Sequence, residues 1–266
     1  MAERALIGAV AAALLTALAR RYGTLDESGQ WGAFACGVAA SIAGWPWALL
    51  LVAYFAAATG VTRFRADKKA EQTLGTNPQV APRTAPQVLA NGGLFCVLAV
   101  QAGPNVASVW GLAAVGALAA ASADTWATEI GTLWGGQPRS IATWRPTLPG
   151  MSGGVTWVGT LAALAGATLV ALAAAWLHQI EPTQPFVIAI IVGGFAGSTV
   201  DSFLGGTVQT RRWCEHCRAW TERRVHPCSY RTVHTHGYRW FSNDVVNAAA
   251  TVAGAAATIG AARLLR

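Results

Sequence analysis

Val106-Ala-Ser-Val-Trp-Gly-Leu-Ala-Ala-Val-Gly-Ala-Leu-Ala-Ala-Ala121 runs without a break into Ser122-Ala-Asp-Thr-Trp-Ala-Thr-Glu-Ile-Gly131. Sixteen nearly pure apolar residues hand over to a segment with two carboxylates. A helix of this composition belongs in a bilayer, and Asp124 and Glu129 fall where it leaves the hydrocarbon. Ideal helix spacing puts Asp124, Thr128 and Gly131 on one stripe and Ser122, Thr125 and Glu129 on the next. Asp124 and Glu129 are five residues apart, about 140° around the axis, so one helix cannot aim both at one ion. A break near Gly131 or Gly135, or groups from other helices, must complete any site.

The whole chain shares this character. Of 266 residues, 53% are hydrophobic and 12% charged, against about 25% charged in soluble domains. The 29 glycines suit close helix packing and the 12 tryptophans suit the headgroup region. A net charge of +7 accompanies no nucleic-acid-binding module, so it fits basic loops of a membrane protein better than nucleic acid.

Apolar runs predict membrane spans over about residues 5–19, 87–103, 105–123, 154–177, 186–208 and 244–262. Residues 31–62 are too long for one span and tight for two; Trp45-Pro46-Trp47 in the middle favours two short ones. Residues 5–19 read as a retained helix rather than a signal peptide, because the positive start is weak and no cleavage-type site precedes Arg20. The expected fold is all-α: a polytopic bundle of about 7–8 membrane helices forming one domain over residues 1–266. With eight spans, loops 20–30, 63–86, 131–150 and 210–243 lie on one side and carry 16 of the 19 Lys and Arg residues. The positive-inside rule makes that side the cytoplasm of a cell-membrane protein.

Several motifs sit at that side. Pro149-Gly-Met-Ser-Gly-Gly-Val-Thr156 should open a helix near Val155 and cradle an anion, with Ser152, Gly153, Gly154 and Thr156 contributing; easy helix entry is the simpler reading. Ser198-Thr-Val-Asp-Ser-Phe-Leu-Gly-Gly-Thr-Val-Gln209 resembles the first motif and hints at an internal repeat. Asn243-Asp-Val-Val-Asn247 places Asp244 and Asn247 on one face, oxygen ligands suited to Mg²⁺, or else caps a helix. Lys68 and Lys69, with Arg63 and Arg65, suit phosphate or anionic lipid. Arg83 precedes Gln87 and Asn91, two amides in an apolar run. Within loop 210–243, Cys214, Cys217, His226 and Cys228 have the spacing of a zinc site; redox work by the Cys-x-x-Cys pair competes, and His216, His234 and His236 are alternative ligands. Cys36 and Cys96 read as small hydrophobes.

Together these motifs resemble an integral-membrane family, long a domain of unknown function, that includes the plant phytyl-phosphate kinase of tocopherol synthesis. The resemblance spans residues 30 to 255. It is also distantly similar to CTP-dependent dolichol and phytol kinases. What it implies is transfer of a nucleotide γ-phosphoryl group, from CTP by that likeness, to an isoprenyl or phytyl monophosphate. Asp124, Glu129, Asp201, Asp244 and Asn247 would then hold Mg²⁺, with Lys68, Lys69, Arg83, Asn91 and the Ser152–Thr156 loop on the phosphates. Asp124, Glu129, Asp201, Lys68 and Lys69 would be the catalytic set. A prenyl-phosphate transporter or flippase, and a non-catalytic membrane assembly factor docking through the Cys/His loop, are the competing readings.

Overall fold

The computed structural model describes residues 2–73, 81–178, 184–221, 224–226 and 228–265. Parts of the expected loops 63–86, 178–185 and 210–243 lie outside these residues. The helices in chain order are α1 (Ala2–Arg21), α2 (Glu27–Ala43), α3 (Trp45–Arg63), the short α4 (Ala66–Gln72), α5 (Ala85–Ala102), α6 (Val109–Trp134), α7 (Trp157–Leu177), α8 (Gln184–Thr207) and α9 (Asn243–Leu264). Five of them (α3, α5, α7, α8 and α9) combine the length and apolar composition of a membrane crossing. The two-helix reading of residues 31–62 is the one observed. Gly44, at φ 150°, breaks the chain, and Pro46 opens the next helix, where its missing N–H costs nothing.

Local chemistry sets the other boundaries. Asp26 caps α2 by accepting from the Gly29 N–H at 2.7 Å. Gly103, at φ 57°, ends α5, and Ser108 starts α6 by accepting from the Gly111 N–H at 3.1 Å. The helix carries on past the apolar span, as the spacing of the first motif predicts: α6 runs to Trp134, with Gly135 as its cap, and the break considered near Gly131 is not there. Nothing on the inward side forces it to stop, because α7 packs alongside that polar extension.

Helix α6 is the centre of the bundle. It packs against α3, α5, α7, α8 and α9, and residues 111–123 are buried throughout. Protein rather than lipid surrounds it, so it tolerates a more mixed composition than the lipid-facing helices. Close approach depends on small residues. Thr258 of α9 is wholly buried and donates to the Gly254 carbonyl at 2.9 Å. A Cβ at Gly193 of α8 would stand 1.8 Å from its hydroxyl, and one at Gly116 of α6 would stand 2.1 Å away.

The outer surface is apolar. Leu6, Leu14 and Leu18 of α1 and Leu161 and Leu172 of α7 are exposed, which water would penalise and lipid does not. Trp157 and Trp176, 82% and 78% exposed, stand at the two ends of α7, about 28 Å apart at 1.5 Å per residue. That is close to the thickness of a bilayer's hydrocarbon core, with Trp at each interface. The protein is a multi-pass membrane protein.

Two small sheets lie at one end of the bundle. β1 (Arg139–Ser140) pairs antiparallel with β2 (Gly154–Val155). β3 (Arg211–Cys214) is central between β4 (Ala219–Thr221) and β5 (Val233–His236). At the opposite end Trp47 is fully buried and its indole donates to the Gly103 carbonyl at 2.7 Å. The His178 ring packs edge-on to it at 4.4 Å, and burial pulls its pKa down to about 4.

Candidate functional site

The loop between α1 and α2 is joined to the segment before α5 by a parallel bridge, Leu25 with Arg83. The Arg63 guanidinium donates to the Tyr22 carbonyl, and Gln72 donates to the Leu133 carbonyl at 3.3 Å. Arg211 donates to the Ser152, Gly205 and Gly206 carbonyls at 3.0, 3.2 and 3.3 Å. These contacts gather loops that are distant in sequence at one end of the bundle. There they enclose a cavity of about 830 Å³, within the range of small-molecule sites, about 300–1,000 Å³.

Most of the residues singled out from sequence line this cavity: Asp124, Glu129, Asp201, Asp244, Asn247, Lys69, Arg83, Asn91, Ser152, Gly153, Gly154 and Thr156. Lys68 does not. It is exposed on α4, outside the wall, because one helical step turns it away from the face that Lys69 presents.

The carboxylates come from three helices. Asp124 of α6 and Asp201 of α8 are within hydrogen-bonding reach of each other. Two carboxyl groups hold that contact only with a proton or a cation between them. Glu129, further along α6, is near enough to act electrostatically on Asp124 but has a different direct partner. It is ion-paired with Lys69, whose Nζ also donates to the Val61 and Thr62 carbonyls at 3.0 and 2.6 Å. An ammonium has three donors, and all three are used. Lys69 therefore fixes Glu129 against the end of α3. Asp244 and Asn247 enter from the first turns of α9, where Ser242 occupies the cap position. The expected capping role of Asn243 or Asp244 is thereby corrected.

The glycine-rich loop differs from expectation. Gly154–Val155 is a strand, and α7 opens two residues later at Trp157, with Thr156 accepting from the Gly159 N–H at 3.0 Å. The Gly154 N–H donates to the Met151 carbonyl at 3.1 Å. The helix start is displaced because pairing with Arg139–Ser140 holds residues 154–155 extended. Gly153 has φ 82°, and a Cβ there would stand 2.2 Å from the Gly206 Cα of α8. Its glycine is required by the close backbone contact as well as by φ. Ser122 faces away from the site and donates to the Gly166 carbonyl of α7 at 3.0 Å.

Also on the cavity wall, the Arg83 guanidinium lies over the Phe55 ring at 5.3 Å. Gln87 accepts from the Thr84 N–H at 3.0 Å, closing the first turn of α5, and the Asn91 amide donates to the Gln87 carbonyl at 2.9 Å. Gln87 thus serves the helix start as well as the cavity lining. Sequence reasoning missed Arg211, Tyr54 and Gln209. Arg211 and Tyr54 line the cavity. Gln209, 1% exposed, donates to the Ser152 hydroxyl at 3.2 Å. A glutamine two residues after a helix that ends Gly-Gly-Thr was the available signal.

The chain matches the family described as Integral membrane protein DUF92 over residues 10–255. It belongs to that family. Among relatives, Protein PGR of Arabidopsis thaliana is 32% identical over 216 residues, 72% of this chain and 74% of that protein. An uncharacterized membrane protein of Methanocaldococcus jannaschii is 29% identical, covering 74% of this chain and 80% of its own. The chloroplastic protein VTE6 of Arabidopsis thaliana is 24% identical, over 75% of this chain and 53% of that protein. No solved structure matches this chain.

Proposed function

We propose that this protein is a membrane-bound kinase that transfers the γ-phosphoryl group of a nucleoside triphosphate, CTP in the first instance, to an isoprenyl or phytyl monophosphate. The observation that carries the reading is the meeting of Asp124 and Asp201 in a cavity also lined by Glu129, Asp244, Asn247, Arg83 and Arg211. The resemblance of the motifs to the family containing the plant phytyl-phosphate kinase supports the substrate class. The side of the membrane follows from the basic loops, which on this reading face the cytoplasm.

Asp124 and Asp201, with Asp244 and Asn247 lining the same cavity, offer oxygen donors of the kind that suit Mg²⁺, and a cation between the two carboxyl groups would offset their repulsion as a shared proton does. Mg²⁺ held there would supply positive charge against the transferring phosphates. The rest falls to the chain itself. Arg83 and Arg211 both place positive charge on the cavity wall. Lys69 keeps Glu129 in one orientation. The lipid phosphate oxygen attacks the γ-phosphorus, the bond from that phosphorus to the β–γ bridging oxygen breaks, and the nucleoside diphosphate leaves with the electron pair. The acceptor is already ionised, so no general base is needed. The prenyl tail stays between the apolar helices.

The test incubates full-chain protein in detergent or liposomes with phytyl, geranylgeranyl and farnesyl monophosphate and each of CTP, ATP, GTP and UTP. Diphosphate product that disappears in Asp124→Asn supports the reading. No product from any pair sinks it, and nucleotide-independent movement of the lipid phosphate across proteoliposomes would replace it with transport.

A further inference from the structure

The Cys/His loop stands apart from the cavity: none of Cys214, Cys217, His226 and Cys228 lines it. All five cysteines are free, and one ligand atom from each of the four residues lies within 4.8 Å of every other. The sulfurs of Cys214 and Cys228 are 3.6 Å apart, and the Nδ1 of His226 is 3.1 Å from the Cys228 sulfur. Ligands at about 2.3 Å (sulfur) and 2.0–2.1 Å (nitrogen) from a tetrahedral ion stand roughly 3.5–3.8 Å from one another. The cluster is therefore already close to the size of one coordination shell, whereas a disulfide would need sulfurs at about 2.05 Å.

The backbone is shaped for the same purpose. Cys214 ends β3, Cys217 lies in the turn into β4, and Arg218 just after it has φ 49°. The second pair ends the same way, with Ser229 following Cys228 at φ 68°. Non-glycine residues rarely adopt this conformation. Here each one turns the chain just after a cysteine. The Tyr230 N–H then bonds the Cys228 sulfur, the kind of outer contact that orients a metal ligand. Two of the three rival histidines have other partners. His216 stacks on Tyr230 at 4.2 Å, and His236 bonds the Thr207 carbonyl at 2.9 Å. His234 lies outside the cluster on β5.

We infer that Cys214, Cys217, His226 and Cys228 bind one zinc ion in a closed, structural site that clamps the ribbon covering the cavity. Three thiolates and an imidazole form a soft, tetrahedral donor set that selects zinc. The geometry also says what the clamp holds. The strand that ends in Cys214 begins with Arg211, and β4 carries Trp220 and Thr221, all three on the cavity wall. Zinc fixes the far end of these strands and so keeps Arg211 on the Ser152, Gly205 and Gly206 carbonyls. The inference does not depend on the proposed kinase reaction.

The test is elemental analysis of the full-length protein in detergent, with cobalt substitution as the spectroscopic readout. Expected are about one zinc per chain, and sulfur-to-cobalt charge-transfer bands with tetrahedral d–d absorption after exchange. Cys217→Ser and His226→Ala should each lower zinc at least about tenfold, as loss of a ligand in a closed site does, while Cys36→Ser, Cys96→Ser and His216→Ala retain it. Should the ligand variants fail to fold, the wild-type chain decides: stripping with a chelator should release zinc and raise the number of thiols open to a water-soluble disulfide reagent by three. Absence of zinc from zinc-supplemented wild-type protein, unchanged zinc in both ligand variants, or octahedral cobalt spectra would overturn the inference.

Discussion

Lys69→Met removes the cation that Glu129 faces. The two side chains are 10% and 20% exposed. Removing one partner of a fully buried pair costs about 3–5 kcal/mol, whereas an exposed pair contributes about 0–1 kcal/mol. A pair between these limits should cost about 2 kcal/mol. Part of that loss belongs to the Val61 and Thr62 carbonyls, which also give up a donor. The remainder belongs to the pair and appears as coupling. The double variant Lys69→Met/Glu129→Gln should therefore be more stable than the sum of the single losses by about 1–2 kcal/mol. Reversible unfolding by sodium dodecyl sulfate in mixed micelles measures all four species at one protein concentration. Single losses that add to within about 0.5 kcal/mol would refute the idea that Lys69 and Glu129 form one unit. The kinase assay adds a second readout, because Lys69→Met should lower turnover with both carboxylates of the Asp124–Asp201 contact still present.

Asp124→Asn and Asp201→Asn should each reduce phosphoryl transfer by at least about a thousandfold, as expected for loss of a metal-holding carboxylate, while leaving the unfolding midpoint almost unchanged; a variant with more than about a tenth of wild-type turnover removes that residue from the metal set. Gly153→Ala should destabilise the fold by about 2–4 kcal/mol because its Cβ would meet Gly206 at 2.2 Å, whereas Gly136→Ala, at φ 66° with nothing within 4 Å, should cost only the strain of about 1 kcal/mol. Equal losses in the two would show that conformation alone sets the requirement. Burial lowers the His178 pKa to about 4, so the folded state binds fewer protons than the unfolded state between that value and about 6.5. Stability should fall as pH drops through this window, and His178→Phe should flatten the profile; an unchanged slope in the variant would exclude His178 as its source.

Much of the fold was legible because each span is a local pattern. Gly44 before Trp45-Pro46 separates α2 from α3, and Gly103 before Pro104 ends α5, through backbone chemistry that needs no tertiary partner. The site was legible as a set of residue types but not as a set of contacts. Asp124 and Asp201 stood out as carboxylates in apolar helices, yet their meeting depends on how α6 packs along α8 through Gly194, Gly197 and Ala120. Lys68 and Lys69 are equal in composition, and only the packing of α4 on α6 buries one and exposes the other. The start of α7 differs for a similar reason: residues 154 and 155 are held extended by pairing with Ser140 and Arg139, distant in sequence. Arg211 was hidden among seven arginines in its loop, and its backbone acceptors leave no trace in sequence.

The central place of α6 also bears on how the protein is made. Ser122, Thr125, Thr128 and Glu129 sit on a helix that protein surrounds in the finished bundle, yet during synthesis it emerges before α7, α8 and α9 exist. Its polar half then has α5 and the amino-terminal helices beside it but lacks the Gly166 carbonyl of α7, which receives the Ser122 hydroxyl, and Asp201 of α8. Left alone in lipid, these groups would be costly to immerse. Membrane insertion of α6 is therefore coupled to the arrival of the later helices. A nascent chain stopped before α7 should remain with the insertion machinery or be degraded, and the cavity is complete only when α9 brings in Asp244 and Asn247.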